Sequence, residues 1–527
     1  MFGSPYPDVD IPNVSIYQYL FAGLSEEESA LVATIDGPSG KQTTYRELVG
    51  QIDGVAGALA ARDVGLGTVV GLLCPNTPAF ASVFHGILRT GATVTTFNSL
   101  YTAEEIEKQL RDSKATWFVT VSPLLAGVKT AAAAVGIEDD HVIVLDGAEG
   151  HPSLADLLGE RATAPEVDFD PATHVAVLPY SSGTTGKPKG VMLSHRNLVA
   201  NVEQSRHVVV IDNTDRVLAF LPFFHIYGMT VLLNLAVKQR AALVTMPKFD
   251  LVEFLRIIQD HRCSYVFIAP PVAVALAKHP LVDSYDLSSV NTVFSGAAPL
   301  DGALAQSVAD RLNCRVAQGY GMTELSPVSH ATPIDRDDVP LSSVGVTLPN
   351  MECRLLDPET GVEIEIPVEG ESEPGHLVCR GPNVMLGYLG NDEATREIMD
   401  DEGFLHTGDI ATVRFDGVVT IVDRLKELIK YHGYQIAPAE LEALLLTHPA
   451  IADAAVIGVN DADGQEIPKA FIVLQADAQL DDTGVMDFVA EHVAPYKKVR
   501  RVEFVDAIPK SSSGKILRKD LRAAEQR

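Results

Sequence analysis

A chain of 527 residues, 46% hydrophobic and 21% charged, can bury a large interior and is too long to do so around one ordinary core. Its 41 Lys and Arg against 70 Asp and Glu leave a formal charge of −29, which repels nucleic acid and anionic membrane surfaces. The five cysteines, Cys74, Cys263, Cys314, Cys353 and Cys379, are scattered without a CxxC pair, which argues against a disulfide framework or a zinc site and fits a reducing cytoplasm. Neither nucleic acid nor stable membrane insertion is therefore expected, and the location expected is the cytoplasm; a monomer or homodimer acting on small molecules is the further expectation.

The N-terminal stretch from Met1 to Pro12 lacks the basic and apolar regions of a signal peptide. From about residue 40 to 320, short β-branched runs alternate with helix-like segments, which predicts an α/β architecture with a parallel sheet covered by helices. Thr102-Ala103-Glu104-Glu105 is a capping box opening one helix, and Trp117 to Val121 is the strand after it. The apolar stretch from Val217 to Val237 is broken by Pro222, His225, Gly228 and Asn234, so it reads as a buried strand and a core helix rather than a membrane span. Tyr265 to Ile268 precedes a helix near Val272, and Thr292 to Phe294 precedes one near Leu304. Between about 341 and 422 the pattern changes to short strands split by turn residues, predicting a β-rich subdomain without helices of any length. After Asp423 a small α+β domain follows, with a helix over Pro438 to Thr447, strands near Ala454 and Ala470, a helix near 485 and a basic tail.

Three segments carry chemistry. Tyr180-Ser181-Ser182-Gly183-Thr184-Thr185-Gly186-Lys187-Pro188-Lys189-Gly190 follows a strand-like run, and its small residues, hydroxyls and lysines suit a loop that grips phosphate. It is not a Walker A motif, because Gly183 and Gly186 are too close and Pro188 follows Lys187. Gln318-Gly319-Tyr320-Gly321-Met322-Thr323-Glu324 lies just past a strand, where open α/β sheets place ligands; a carboxylate beside phosphate needs a cation between them, so Glu324 reads as a Mg2+ ligand. Ser295-Gly296-Ala297-Ala298-Pro299, past another strand, lets a flat ligand approach the backbone.

The phosphate loop resembles the signature of the adenylate-forming superfamily, which includes acyl-CoA synthetases, firefly luciferases and peptide-synthetase adenylation domains. Further motifs follow in that superfamily's order, so the resemblance covers about residues 30–520. Through Pro222 to Gly228 and Val422 to Lys430 it narrows to bacterial enzymes similar to 4-coumarate/cinnamate:CoA ligase. The resemblance implies a large N-terminal AMP-binding domain over 1–422 and a mobile C-terminal domain over 423–527 hinged at about 423–427. It implies an enzyme that uses ATP, Mg2+ and coenzyme A to convert a carboxylic acid first to an acyl-adenylate and then to a thioester.

By the same resemblance Ser181, Ser182, Gly183, Thr184, Thr185, Gly186, Lys189, Ala297, Gln318, Gly319 and Thr323 bind ATP or AMP, Tyr320 stacks on adenine and Asp409 receives the ribose hydroxyls. Arg424 joins Asp409 at the nucleotide, and Lys426 is the pivot. Lys515 bridges the substrate carboxylate and the α-phosphate, while Lys430 and Gln435 serve one catalytic conformation or the other. Lys248, His432 and Gly433 lie toward CoA, with lysine frequent in the family where this chain has His432. His225 gates the acyl pocket formed by Ile226, Tyr227, Gly228, Thr230, Phe294, Gly296, Gly321 and Pro327. Plant relatives place a lysine before the Ser-Gly-Ala-Ala-Pro strip to meet a ring hydroxyl, and Phe294 here implies preference for cinnamate-like or medium- to long-chain fatty acids over 4-hydroxylated ones. Rival expectations are an adenylating enzyme with a carrier protein or oxygen as acceptor, and a non-catalytic nucleotide-binding homologue.

Overall fold

The computed structural model describes residues 1–181, 188–431, 434–461, 465–476, 478–511 and 514–525, with Tyr434 and Gln435 described by backbone alone. Two sheets share the work expected of one. In the first, Val32–Asp36, Ala242–Thr245, Arg216–Ala219, Tyr265–Ile268, Thr292–Ser295 and Arg315–Gly321 lie side by side and parallel. Ala242–Thr245, Tyr265–Ile268 and Thr292–Ser295 are buried throughout, which explains why they read as unbroken β-branched and aromatic runs rather than alternating ones. The second sheet carries Val69–Leu72, Thr93–Thr96, Trp117–Thr120 and Val142–Val144 in parallel.

The strand Arg315–Gly321 turns the first sheet from parallel to antiparallel. Val328–Ala331, Gly345–Thr347, Val418–Arg424, Leu405–Val413, Gly375–Arg380 and Glu352–Leu356 continue from it in that order, so the β-rich region extends the main sheet. One expectation fails here, because a helix runs over Asp392–Ile398. The Asn391 side chain caps it by accepting from the Ala394 N–H, and Asp392 and Glu393 suit its first turn. Only Ala394 is buried, so no apolar periodicity announced it.

Local signals elsewhere act as read. Thr102 and Glu105 form the reciprocal capping box of Ala103–Ser113. Arg216–Ala219 is the buried strand, and the helix after it takes π hydrogen bonding over Gly228–Leu235 before its last α turn. Such wide turns recur where a functional segment is inserted. Pro438–Thr447 is helical, followed by Ile451–Asn460, Glu466–Leu474 and Asp482–His492.

The basic tail is more than a tail. Arg501–Phe504 pairs parallel to Glu466–Leu474, and Arg518–Glu525 is a helix that buries Leu521 against Ile457, Phe471 and Ile508. Its charges are paired, Arg518 with Glu442 at 2.6 Å and Arg522 with Glu427. The residues beyond 428 enclose their own apolar clusters, around Ile436, Leu441, Ile472 and Val489 and around Ile457 and Phe471. The cysteines are all free, yet Cys353 and Cys379, opposite each other on adjacent strands, bring their Sγ atoms to 3.5 Å. Sequence separation had concealed that proximity. Among the described residues, no helix is long and apolar enough to cross a membrane.

Candidate active site

Parallel strands end together, so the loops after them converge. Leu221 to His225, Met246 to Lys248, Ala269 to Pro271, Gly296 to Pro299 and Met322 to Glu324 all leave the carboxyl edge of the first sheet. The second sheet reaches the same place: Asn76 Nδ2 donates to the carbonyls of Ala219 and Leu221, Phe223 N–H donates to Asn76 Oδ1, and Thr96 Oγ1 donates to the Phe224 carbonyl.

Glycines hold this edge open. A Cβ on Gly319 would sit 2.8 Å from the Phe294 ring, one on Gly321 would sit 2.0 Å from the Pro327 carbonyl oxygen, and one on Gly296 would sit 2.9 Å from the Tyr227 ring. Ala297 adopts φ +72°, a left-handed conformation uncommon outside glycine, within the strip expected beside the adenine. Tyr227, Phe267 and Phe294 make an aromatic wall, with Tyr227 edge-on to Phe267 at 6.3 Å and Phe267 against Phe294 at 5.3 Å. Ile226 and Gly228 are buried beside it. Thr230 lies behind the wall, its hydroxyl spent on the Ser326 carbonyl at 2.8 Å.

Asp409 is reached from two sides. The Tyr320 hydroxyl donates to Oδ2 at 2.5 Å, and Arg424, opposite Asp409 on the paired strand, brings Nε to 3.4 Å from Oδ1. Just before Asp409 the strand Leu405–Val413 passes through Gly408 at φ +75°, whose N–H donates to His376 Nε2. Burial and the neighbouring His406 push the His376 imidazole down to about 4, so it stays neutral and able to accept. Gln318 is spent structurally, its amide donating to the carbonyls of Leu300 and Leu341. It backs the strip rather than offering a free amide.

Lys515 arrives from the other end of the chain. The segment around it is a tight turn: Ser511 N–H donates to the Lys515 carbonyl, Gly514 N–H to the Ser511 carbonyl and Lys515 N–H to Ser511 Oγ. Lys510 anchors the turn through Asp453 at 2.5 Å. Gly514, at φ +82°, lies so close to Ala269 that a Cβ would meet the alanine methyl at 3.1 Å. The Lys515 ammonium is largely enclosed and pushed down to about 8, first by burial and then by Arg424, with Asp409 acting in the opposite direction. His225 is pushed down to about 4 by burial and by Lys515. Its Nδ1 accepts from the Tyr227 N–H at 3.3 Å, so the neutral ring carries its proton on Nε2. A neutral histidine of that kind suits a gate or a hydrogen-bond donor.

Glu324 suits a hard divalent cation. It is a buried carboxylate whose Oε1 accepts from the Tyr388 hydroxyl at 2.8 Å, and among the described residues Oε2 has no hydrogen-bond partner. Mg2+ takes one or two carboxylates and completes its shell with phosphate oxygens and water, so one such ligand fits, and among the described residues there is no larger acidic or histidine cluster. Ser181 and Lys189 pair at the mouth of the phosphate loop, with Thr323 opening the turn that carries Glu324. Ser182, Gly183, Thr184, Thr185 and Gly186 lie outside the described residues, as do His432 and Gly433.

The remaining expected residues are not gathered here. Lys430 and Lys426 are exposed, and Lys248 is exposed beyond Ala242–Thr245. Lys430 and Gln435 oppose each other on the hairpin of Ile429–Tyr431 and Tyr434–Ile436. A surface cavity of about 690 Å³, lined by Glu47, Asp53, Arg89 and Arg161, contains none of these residues. Sequence reasoning missed Tyr388, His376 and the second role of Asp423, whose Oδ2 accepts from the Ala439 N–H at 2.9 Å and so ties the strand to the helix Pro438–Thr447. The Gly387-Tyr388 pair gave no local hint of a partner at Glu324.

This fold and site define an AMP-binding enzyme: that family matches residues 23–389, the AMP-binding enzyme C-terminal domain matches 440–515, and the chain belongs to the family. Within it, the chain is 41% identical to the 4-coumarate--CoA ligase 5 of Oryza sativa subsp. japonica over 99% of this chain and 97% of that one. It superposes on the anthranilate CoA ligase AuaEII, solved with anthranoyl-AMP, at TM-score 0.90 and 26% identity over 98% of each chain. Against ATP-bound MatB from Rhodopseudomonas palustris the TM-score is 0.87 at 29% identity, covering 98% of this chain and 99% of that one.

Proposed function

We infer that the chain is an ATP-dependent carboxylic acid:CoA ligase, acting through an acyl-adenylate on a cinnamate-like aryl acid. The observation that carries this is the largely enclosed Lys515 ammonium, held at the strand ends by the close approach of Gly514 to Ala269 and within electrostatic reach of Asp409, Arg424 and His225, since an enclosed ammonium there is what two approaching anions require. A carboxylate oxygen of the acid attacks the α-phosphorus, the bond to the bridging oxygen breaks, and pyrophosphate leaves with that electron pair. Lys515 offsets the repulsion between the acid and the α-phosphate, while Asp409 and Arg424 hold the ribose. Bound Mg2+ neutralises charge on the triphosphate, and Glu324 is the residue that would hold it. The CoA sulfur then attacks the acyl carbon, the bond to the phosphate oxygen breaks, AMP leaves, and the thiol proton goes to solvent.

The C-terminal part, from about 423 onward, turns between the two reactions about Asp423 to Lys426. It withdraws Lys515 and presents the segment around Lys430, His432, Gly433 and Gln435 to the thiol, with Lys248 toward CoA. The aromatic wall of Tyr227 and Phe294, the relatives named as 4-coumarate ligases and the anthranilate and benzoate CoA ligases among similar structures all support an aromatic acid. Phe294 cannot donate to a phenol, so cinnamate is turned over better than 4-coumarate. Five unpaired thiols suit a reducing cytoplasm.

The test is acid-dependent ATP–pyrophosphate exchange across cinnamic, benzoic and fatty acids, followed by addition of CoA. Exchange with cinnamate, and acyl-CoA once CoA is present, is expected. No exchange with any acid would overturn the reading. Exchange without thioester would reassign the acceptor, and better turnover of 4-coumarate than of cinnamate would remove the argument from Phe294.

A further inference from the structure

Gly387-Tyr388 forms a short strand antiparallel to Lys189–Ser194, the strand that leaves the phosphate loop, with Tyr388 opposite Val191. From that position the Tyr388 side chain touches two elements that are distant in sequence. Its hydroxyl donates to Glu324 Oε1 at 2.8 Å, and the Lys189 ammonium sits 4.7 Å from its ring centroid. The segment before it holds the backbone of the same turn, Met385 N–H donating to the Glu324 carbonyl at 2.9 Å and Asn383 Nδ2 donating to the Leu325 carbonyl at 2.8 Å. Tyr388 and Glu324 are 5% and 3% exposed, so their bond is not exchanged for water.

We propose that Tyr388 is a positioning residue for the adenylation step: its hydroxyl occupies one oxygen of Glu324 and so presents the other to Mg2+ on the triphosphate, while its ring places Lys189 at the same phosphates. This rests on the assignment of Glu324 as the metal ligand. A carboxylate that can rotate offers either oxygen in many orientations, and one fixed by a donor offers a single one. Partners of that kind typically change metal affinity by about 10–100-fold. The ring contact adds a second function, because the lysine and the metal must approach neighbouring phosphate oxygens and both are aimed by one side chain.

The test measures metal binding directly, with Mn2+ as a paramagnetic probe titrated into the protein complexed with α,β-methylene-ATP and followed by electron paramagnetic resonance. Y388F keeps the ring, and with it the strand packing and the Lys189 contact, and loses only the hydroxyl. Its Mn2+ dissociation constant is expected to rise about tenfold or more, with metal-free affinity for the nucleotide analogue unchanged. Y388L, which also loses the ring, is expected to weaken metal-free nucleotide binding as well. E324Q is expected to weaken Mn2+ binding at least as much as Y388F, and the double variant no more than E324Q alone.

Wild-type Mn2+ affinity in Y388F, with E324Q weakened, would overturn the proposal and leave Glu324 in its role. Wild-type affinity in E324Q would overturn that role and the proposal with it. Additive losses in the double variant would likewise overturn it. If Y388F does not fold, Y388W serves in its place, retaining a ring but placing no hydroxyl at Glu324, with the same outcomes.

Discussion

Two lysines near the end of the chain occupy opposite situations. Lys515 follows Gly514, which is pressed on Ala269, and its ammonium is largely enclosed, whereas Lys430 is exposed on a hairpin strand and its backbone N–H is engaged by Glu466. Both belong to the part of the chain from about residue 423 onward. The proposed rotation of that part would exchange them, and the arrangement with Lys515 enclosed is the one proposed for acyl-adenylate formation.

Replacing the enclosed lysine breaks the comparison most severely. Lys515→Ala is expected to lower pyrophosphate exchange by ~10²-fold or more, by analogy with loss of one preorganised donor to developing charge. Thioester formation from supplied acyl-adenylate should persist. Lys430→Ala should do the reverse, sparing exchange and slowing thioester formation. If either substitution suppresses both half-reactions equally, the assignment of one lysine to each step fails.

Gly514→Ala probes the turn that carries Lys515. Its φ of +82° costs a non-glycine residue about 1–2 kcal/mol, and the new methyl would press on Ala269 at 3.1 Å. Exchange is expected to fall roughly tenfold, since 1.4 kcal/mol is a factor of ten. The supplied adenylate should be thioesterified at close to the wild-type rate, because the proposed second arrangement gives up the contact with Ala269. A matching loss in thioesterification would show damage to the C-terminal part as a whole.

Legibility in the sequence followed the range of the interactions concerned. The cap at Thr102 and the helix Pro438–Thr447 depend on residues three or four positions apart, and they appear where local chemistry placed them. The segments around Gly296, Gly319 and Asp409 were legible because their residue types are unusual for strand ends, and the fold gathers them at one edge. The Tyr388–Glu324 bond spans 64 positions, and Cys353 and Cys379 meet across 26; no local pattern encodes either. Arg518–Glu525 buries a single leucine and pairs its arginines with distant glutamates, so a structured helix read as a basic tail.

The depressed Lys515 pKa sharpens the comparison through pH. The proposed role needs the ammonium in its charged form, and burial and Arg424 bring its pKa down from the ordinary 10.5 to about 8. The kcat/KM for exchange should thus be level below about pH 8 and fall up to tenfold per pH unit above it. Bound ATP and acid favour the charged form, so the limb in kcat should lie at higher pH than the limb in kcat/KM. Lys515→Arg, slower overall, should remove the limb because guanidinium stays charged. Persistence of the same limb in that variant would assign it to another group.

The smallest expected effect concerns how firmly the enclosed arrangement is held. Lys278, exposed at the end of the helix Pro270–Lys278, donates Nζ to the Leu446 carbonyl at 2.7 Å and so joins the large part of the chain to the small one. A single hydrogen bond of this type contributes about 0.5–1.5 kcal/mol, which shifts a two-state population by roughly two- to tenfold. Lys278→Met keeps most of the apolar stem and removes the donor. Exchange should fall by that modest factor, while thioesterification of supplied adenylate holds or rises because the arrangement presenting Lys430 is favoured. Equal losses in both steps, tracked by a lower unfolding midpoint, would show that the contact stabilises the fold and leaves the balance between the two arrangements untouched.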